Sequence, residues 1–325
     1  MAGPEQSAEI DTLTLIWQRA FDRAPIGIHE DFFDLGGDRL RAVRIFGEIA
    51  EKFNKTLSPT TICWAPTIAA LAPMIATLQP SSPLVLLKEG REEPPLFLTH
   101  GIGSSVIDLV RFARQIETRR AIYGMEARGN FDTEEPMDRV EDMAQFFVDS
   151  VRKVQAEGPY FLIGYSLGGL VTLEMARQLS QEGGKIALLA MLDSYPDRRV
   201  LPIGQHLRLI MQLATRRLKD RKSLTKRPDR TMLDGSFAVA MQTVRRAQYR
   251  ALHNYRPRFY DGNVMFVRAA VPSYFPSDPI PVWSPLIKDL IVEPVPGNHI
   301  ELLTLNVGAL ASVVTRYLES LRLET

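Results

Sequence analysis

Cysteine is nearly absent from this 325-residue chain, with Cys63 standing alone. A single thiol supports neither an internal disulfide framework nor a thiolate metal cluster, and no metal site is expected; the scarcity fits a reducing compartment. Long apolar runs are missing as well. Residues 61–78 are the most apolar stretch, but Pro66 and Pro73 interrupt it and threonines dilute it. That pattern points to a packed helical hairpin end rather than a membrane span. Residues 1–9 contain no apolar segment of the secretory kind, so no signal is expected and a cytoplasmic location is. Neither charge sign dominates: 39 Lys and Arg against 38 Asp and Glu leave a net charge of +1, which gives no global pull toward nucleic acid or a membrane surface. Repeats and low-complexity tracts are also lacking. What remains, 45% hydrophobic and 24% charged residues, is the composition of a soluble globular protein long enough for two domains.

One stretch carries chemistry. Tyr160-Phe161-Leu162-Ile163 is an apolar run of strand length that leads through Gly164-Tyr165-Ser166-Leu167-Gly168-Gly169 into a segment of helical character. A G-x-S-x-G between strand and helix fits a sharp turn that lifts the serine hydroxyl out of the fold. Gly164 and Gly168 are expected there because side chains would collide as strand and helix converge. The helix that follows aims its first N–H groups at the turn, where an oxyanion would form.

The surrounding pattern supplies a setting. Strand-like runs at residues 84–87, 95–99, 121–125, 160–163 and 186–192 alternate with helical stretches, and strands return at 262–268 and 289–295 before a closing helix over 300–323. Apolar strands alternating with helices predict an α/β fold, a mostly parallel sheet covered on both faces, with ligands at the carboxyl ends of its strands. Residues 197–255 interrupt the alternation with helical sequence; residues 197–230 hold eleven Lys and Arg against three Asp and Glu. That basic stretch reads as the solvated face of amphipathic helices or as an attraction for phosphate or an acidic protein surface. It has none of the aromatic interleaving of a nucleic-acid site.

A serine nucleophile needs a histidine to accept its proton and an acid to orient that histidine. Of five histidines, His29 lies in the N-terminal region, His206 and His253 lie in the helical insertion, and His100 precedes Gly101 in the first strand-end loop. His299 follows the last strand on a Gly-Asn turn, which gives the order serine, acid, histidine of an α/β-hydrolase. Asp193 ends the strand after the serine's helix and is the expected acid. Asp278, after the next strand but inside the proline-rich residues 272–281, is the alternative. The oxyanion donors are expected to be the backbone N–H groups of Leu167 and Ile102.

Upstream, residues 1–77 read as three or four short helices. Ile10, Leu13, Leu15, Ile16, Trp17, Ala20 and Phe21 recur at helical spacings, and Asp38 is a natural cap for a helix over 39–53 with Leu40, Val43, Ile45 and Phe46 apolar. Between them, Asp31-Phe32-Phe33-Asp34-Leu35-Gly36-Gly37-Asp38 followed by Leu40 resembles the signature of peptidyl and acyl carrier domains in assembly-line synthetases. In that family the residue after Gly-Gly-Asp is a serine that receives 4′-phosphopantetheine. Here it is Arg39, which has no nucleophilic oxygen, so this carrier is expected to be unloadable. No cofactor is expected in the chain as written, and the arm only if position 39 were serine. Residues 1–77 carry ten Asp and Glu against seven Lys and Arg, a mild imbalance typical of solvated surface.

A second resemblance spans about residues 84–323. Gly164-Tyr165-Ser166-Leu167-Gly168-Gly169, Leu192-Asp193-Ser194-Tyr195-Pro196 and Gly297-Asn298-His299 are similar to type I thioesterase domains that end such synthetase lines. Their 27-residue separation of Ser166 and Asp193 matches that family too. Together the resemblances imply a carrier-like bundle (1–77), a join (78–94) and an α/β-hydrolase thioesterase (84–325) with a helical lid at about 197–255. They imply Ser166, Asp193 and His299 acting on an acyl-pantetheine thioester, with release by water or an internal nucleophile. The expected partners are that substrate and upstream synthetase modules or another carrier, not nucleic acid or membrane. A general carboxylesterase with an accessory helical domain, or a non-catalytic docking module, are the competing readings.

Overall fold

Seven strands build the larger part of the molecule: β1 (Leu84–Lys88), β2 (Glu92–Thr99), β3 (Arg120–Met125), β4 (Tyr160–Tyr165), β5 (Ile186–Leu192), β6 (Tyr260–Ala269) and β7 (Ile287–Val295). The structure, a computed structural model, describes residues 4–76, 82–220, 236–271 and 275–323. The strands lie in the order β1-β3-β2-β4-β5-β6-β7. β1 runs antiparallel to β3, and every other pair is parallel. The sheet was expected from the alternating pattern, and the crossover helices follow from it, because parallel neighbours need a connection long enough to return across a face.

Alternation along the pleat divides the core into two layers. Leu96, Leu98, Phe161, Ile163, Leu188, Ala190, Met265 and Val267 face one side with α4 (Val110–Gln115) and α10 (Val307–Leu323). Phe97, Leu162, Leu189, Met191, Val264 and Phe266 face the other, under α5 (Val140–Val154) and α6 (Leu167–Gln181). The closing helix starts later than its pattern suggested: a single 3-10 turn, Glu301–Leu303, precedes α10. The turn around Asn298 explains the delay, since Asn298 Oδ1 accepts from the N–H of Ile300 and of Glu301 and ties the chain into a separate short turn.

The N-terminal bundle consists of α1 (Pro4–Phe21), α2 (Arg39–Phe53), a 3-10 turn (Pro59–Cys63) and α3 (Ile68–Ala76). Asp38 caps α2 through its carboxylate on the Arg41 N–H at 2.8 Å. Trp17, Phe21, Phe32 and Phe33 pack edge to face or tilted, with centroids 5.1–5.9 Å apart. Two residues expected on the buried faces are exposed: Leu15 at 55% and Leu40 at 47%. Leu15 follows Leu13 by two residues, about 200° around the helix, and cannot share its stripe; nothing in the structure explains Leu40. The bundle's apolar core is continuous with the α4/α10 side of the sheet. Of the join expected at 78–94, residues 78–81 lie outside the described residues, and the rest contains β1 and the start of β2.

Between β5 and β6 the helical insertion contains α7 (Ile203–Asp220) and α8 (Ser236–Asn254), and residues 221–235 of the expected lid lie outside the described residues. Tyr255, just past α8, donates its hydroxyl to Glu174 of α6 at 3.2 Å, which fastens the insertion to the sheet's helical layer.

Candidate active site

β4 and α6 meet at the serine turn. Ser166 sits at the start of α6 with φ 57° and ψ −121°, a conformation that an L-residue adopts only under strain. Its side chain makes no capping bond to the helix, so the hydroxyl is not consumed by the backbone it interrupts. The flanking glycines are required by contact. A Cβ at Gly164 would lie 2.2 Å from the Gly168 carbonyl oxygen, and one at Gly168 would lie 2.5 Å from the Thr99 carbonyl oxygen. The Ser166 N–H donates to the Leu192 carbonyl at 2.9 Å, which continues the β4–β5 ladder into the turn.

Asp193 follows β5 directly and is 3% exposed. Its own backbone is left-handed (φ 48°), and Oδ1 accepts from the Ala269 N–H at 3.1 Å. Oδ2 is thereby turned toward His299, whose Nδ1 lies 2.8 Å away. Asp278, the competing acid, instead accepts from the Ile280 N–H at 3.0 Å and starts a short helix, α9 (Ile280–Trp283).

Several aromatic groups fix the imidazole. Tyr165, the residue before Ser166, stacks on the His299 ring at 4.8 Å with 17° between planes, and its hydroxyl donates to the His299 carbonyl at 2.7 Å. Burial and the nearby Asp193 charge push the Tyr165 phenol well above its ordinary range, so it remains a donor. Phe275 also packs against the imidazole, in an edge-to-face arrangement with centroids 4.7 Å apart. The histidine is therefore placed against the residue that precedes the serine, with one ring nitrogen engaged by a carboxylate.

The loop after β2 closes over the serine: a Cβ on Gly101 would stand 3.0 Å from the Ser166 Cβ. Ile102 is part of that loop, and Leu167 is the first residue of α6. A carboxylate that the sequence reading passed over anchors the loop. Glu126, at the end of β3 and 7% exposed, accepts from Ser105 Oγ at 2.7 Å, the Val106 N–H at 3.1 Å and Asn130 Nδ2 at 2.6 Å. His100 Nε2 lies 3.3 Å from it. Burial alone would hold the Glu126 carboxyl up, but its hydrogen bonds and the His100 charge outweigh it and lower the pKa. Burial likewise opposes protonation of His100, and Glu126 outweighs it and raises that pKa. The only available signal was a carboxylate placed at a strand's carboxyl end.

A narrow cavity runs beside the elbow between the sheet and the insertion. Leu167, Val171, Met143 and Phe147 supply apolar walls, and Thr99, His100, Arg128 and Gln248 are its polar members. Among the described residues no group of three or more His, Cys, Asp or Glu is arranged to hold a metal, and no helix is long and apolar enough to cross a membrane.

At the carrier-type turn the chemistry differs. Arg39 is the first residue of α2, and its Nη1 donates to the Gly103 carbonyl at 2.5 Å, in the loop over Ser166. No hydroxyl is present at this position to form a phosphodiester, and the side chain is engaged elsewhere. The residues here do not fit attachment of a phosphopantetheine arm.

Family comparisons agree with this architecture. Residues 94–317 match the thioesterase domain model, and residues 11–75 match the phosphopantetheine attachment site model. A dimodular nonribosomal peptide synthase of Bacillus subtilis (strain 168) is 34% identical over 297 residues, covering 82% of this chain and 12% of that protein. Malpibaldin synthetase of Mortierella alpina is 29% identical over 323 residues, covering 92% of this chain and 6% of its own length. The chain thus spans a small fraction of these curated relatives. Among solved structures, the four-domain nonribosomal peptide synthetase holo-AB3403 aligns with a TM-score of 0.61 at 25% identity, over 95% of this chain and 26% of that one. The NocB thioesterase domain shares the fold, with a TM-score of 0.54 at 23% identity over 70% of this chain and 95% of its own. With a mostly parallel sheet behind a serine elbow and a phosphopantetheine-attachment-type bundle ahead of it, the chain belongs to the thioesterase domain family.

Proposed function

We propose that this chain releases an acyl chain from a pantetheine thioester through an acyl-enzyme on Ser166. The contact of His299 Nδ1 with Asp193 Oδ2 at 2.8 Å, beside the strained turn that presents Ser166, carries this reading. Asp193 holds the imidazole so that Nε2 is the nitrogen left to accept the serine proton. Ser166 Oγ attacks the thioester carbonyl carbon, and the developing oxyanion is met by the N–H groups of Leu167 and Ile102. The carbon–sulfur bond then breaks, and the departing thiolate takes the proton from the His299 imidazolium. The resulting ester on Ser166 is resolved when His299 deprotonates water or a nucleophile within the acyl chain, which attacks the ester carbonyl carbon; the carbon–Oγ bond then breaks and Ser166 Oγ takes the proton back from His299. Water gives a free acid, and the internal nucleophile gives a ring. The cavity beside the elbow, with apolar walls from Leu167, Val171, Met143 and Phe147, holds only about 30 Å³ and would have to widen to take an acyl chain.

Because Arg39 cannot carry an arm, the thioester is brought by another carrier or arrives free. Upstream synthetase modules are the expected source. The test is turnover of a panel of acyl-pantetheine thioesters, with mass spectrometry of the products, alongside labelling of Ser166 by a fluorophosphonate. Oxygen esters cleaved much faster than thioesters would replace this reading with a general carboxylesterase, and absence of any labelling would replace it with a docking module.

A further inference from the structure

Gly103 is held from two directions by parts of the molecule far apart in sequence. Its N–H donates to Gln248 Oε1 of α8 at 2.7 Å, and its carbonyl accepts from Arg39 of α2. Glycine is required there, since φ is +64° and a Cβ would stand 3.1 Å from the Arg245 side chain. Arg39 also lies 3.9 Å from Asp108, whose Oδ2 accepts from Ser104 Oγ at 2.5 Å and from the Ser105 N–H at 3.1 Å. The guanidinium therefore reaches both ends of the segment 103–108. Its side chain is only 19% exposed, and its Nε is buried without an acceptor, so the contact is an embedded one rather than a surface pairing. Ile102, the expected oxyanion donor, is the residue immediately before Gly103.

The rest of the bundle is fixed independently of Arg39. Arg111 Nη2 donates to the Phe33 carbonyl at 3.0 Å, and Arg114 Nη2 to Asp31 Oδ2 at 3.0 Å while lying 4.8 Å over the Phe33 ring. Both come from α4, and both grip the aromatic loop of the carrier-type signature.

We infer that the substitution at position 39 converts the carrier-type bundle from a delivery arm into a docked positioning domain, in which Arg39 holds the Gly103 peptide and so sets the Ile102 N–H for the oxyanion. Arg39 does not touch substrate; it is a positioning residue. The inference rests on the thioesterase reading for its effect on rate, but the contact itself is separately measurable. Arg39 gives the Gly103 carbonyl one charge-assisted N–H bond, stronger than a neutral one, and so restrains the peptide where a small displacement is costly to the transition state.

The test compares the full chain with R39A, R39K and R114A on an acyl N-acetylcysteamine thioester, which needs no carrier. R39A is expected to lower kcat about tenfold with KM changed less than about twofold, because the loop acts on the transition state rather than on binding. R39K, which keeps a cationic donor, is expected to recover kcat to within about threefold. R114A removes docking energy without touching the loop and is expected to change kcat less than R39A. Amide exchange over residues 101–106 should quicken about tenfold in R39A and stay near wild type in R114A. R39A with wild-type kcat overturns the inference, as does a loss that R114A reproduces in full or that R39K fails to recover. Should the wild-type chain neither turn over thioesters nor label at Ser166, the thioesterase reading fails, and unchanged exchange in R39A still decides against the Arg39 contact.

Discussion

Two glycine-flanked helix starts in this molecule, at Gly37-Asp38-Arg39 and at Gly164-Tyr165-Ser166, are made in opposite ways. At α2 the cap is relaxed: Asp38 sits in the extended region (φ −137°) and spends its carboxylate on the Arg41 N–H. At α6 the cap is strained: Ser166 has φ 57° and makes no side-chain bond to its own helix. A relaxed cap consumes its polar atom for stability, whereas a strained one withholds it for chemistry. The residue after the relaxed cap, Arg39, is turned toward the loop that covers the strained one. The difference teaches that the serine signature leaves its hydroxyl free of its own helix, while the carrier-type signature places a cation, bonded to the Gly103 carbonyl, where the proposed reading expects a serine.

The sharpest way to break this contrast is covalent. A fluorophosphonate should label the wild-type chain once and S166A not at all, and S166A and H299A should each lower thioester turnover by about 10⁶-fold. Incubation with coenzyme A and a phosphopantetheinyl transferase should add no mass to the wild-type chain, while R39S should gain one arm. A gain of mass by the wild type would mean that position 39 is not the attachment position, and the comparison would fail. Next in size is the acid. D193N should cost about 10⁴ in kcat by losing the tautomer and orientation of His299, and D278N less than about twofold, since its carboxylate only starts α9. Equal losses from both would remove Asp193 from the site.

Much of the fold was legible because it rests on short-range pattern. Apolar runs such as Ile186–Leu192 and the glycines around Ser166 announce strand and elbow within ten residues of themselves. What was not legible depends on partners distant in the chain. Nothing local marks Arg39 as facing Gly103, Arg111 and Arg114 as gripping Phe33 and Asp31, or Glu126 as the anchor of residues 100–106. Each is a charged residue whose exposed and buried uses look alike in sequence, because burial is decided by the tertiary packing around it. The late start of α10 has the same origin on a smaller scale, in an Asn298 side chain that competes with the backbone.

The loop over Ser166 is held at Gly103 by Arg39 from the bundle and at His100, Ser105 and Val106 by Glu126 from the sheet, and titration separates the two. Glu126 has a folded pKa below its ordinary 4.5, so its stabilisation is complete above that value and is lost as pH falls through the lowered folded pKa. His100 has a folded pKa above its ordinary 6.5, so its stabilisation is complete below 6.5 and is lost as pH rises through the raised folded value. The pair is therefore worth most between 4.5 and 6.5. Within that window E126Q should lower unfolding stability by about 2 kcal/mol, because Ser105 Oγ and the Val106 N–H lose a charged acceptor. The deficit should shrink on both sides, and less on the alkaline side. There neutral His100 keeps Nδ1–H on the Gly101 carbonyl at 2.9 Å and its Nε2 can accept from the Ala127 N–H at 3.2 Å, so the ring stays in place while Glu126 remains ionised. Denaturant unfolding of both chains at about pH 4, 5.5 and 9 measures the profile. R39A, which removes a contact to the Gly103 carbonyl that involves neither Glu126 nor His100, should show a deficit with no such maximum; a flat profile for E126Q as well would mean that the His100–Glu126 pair does not anchor the loop.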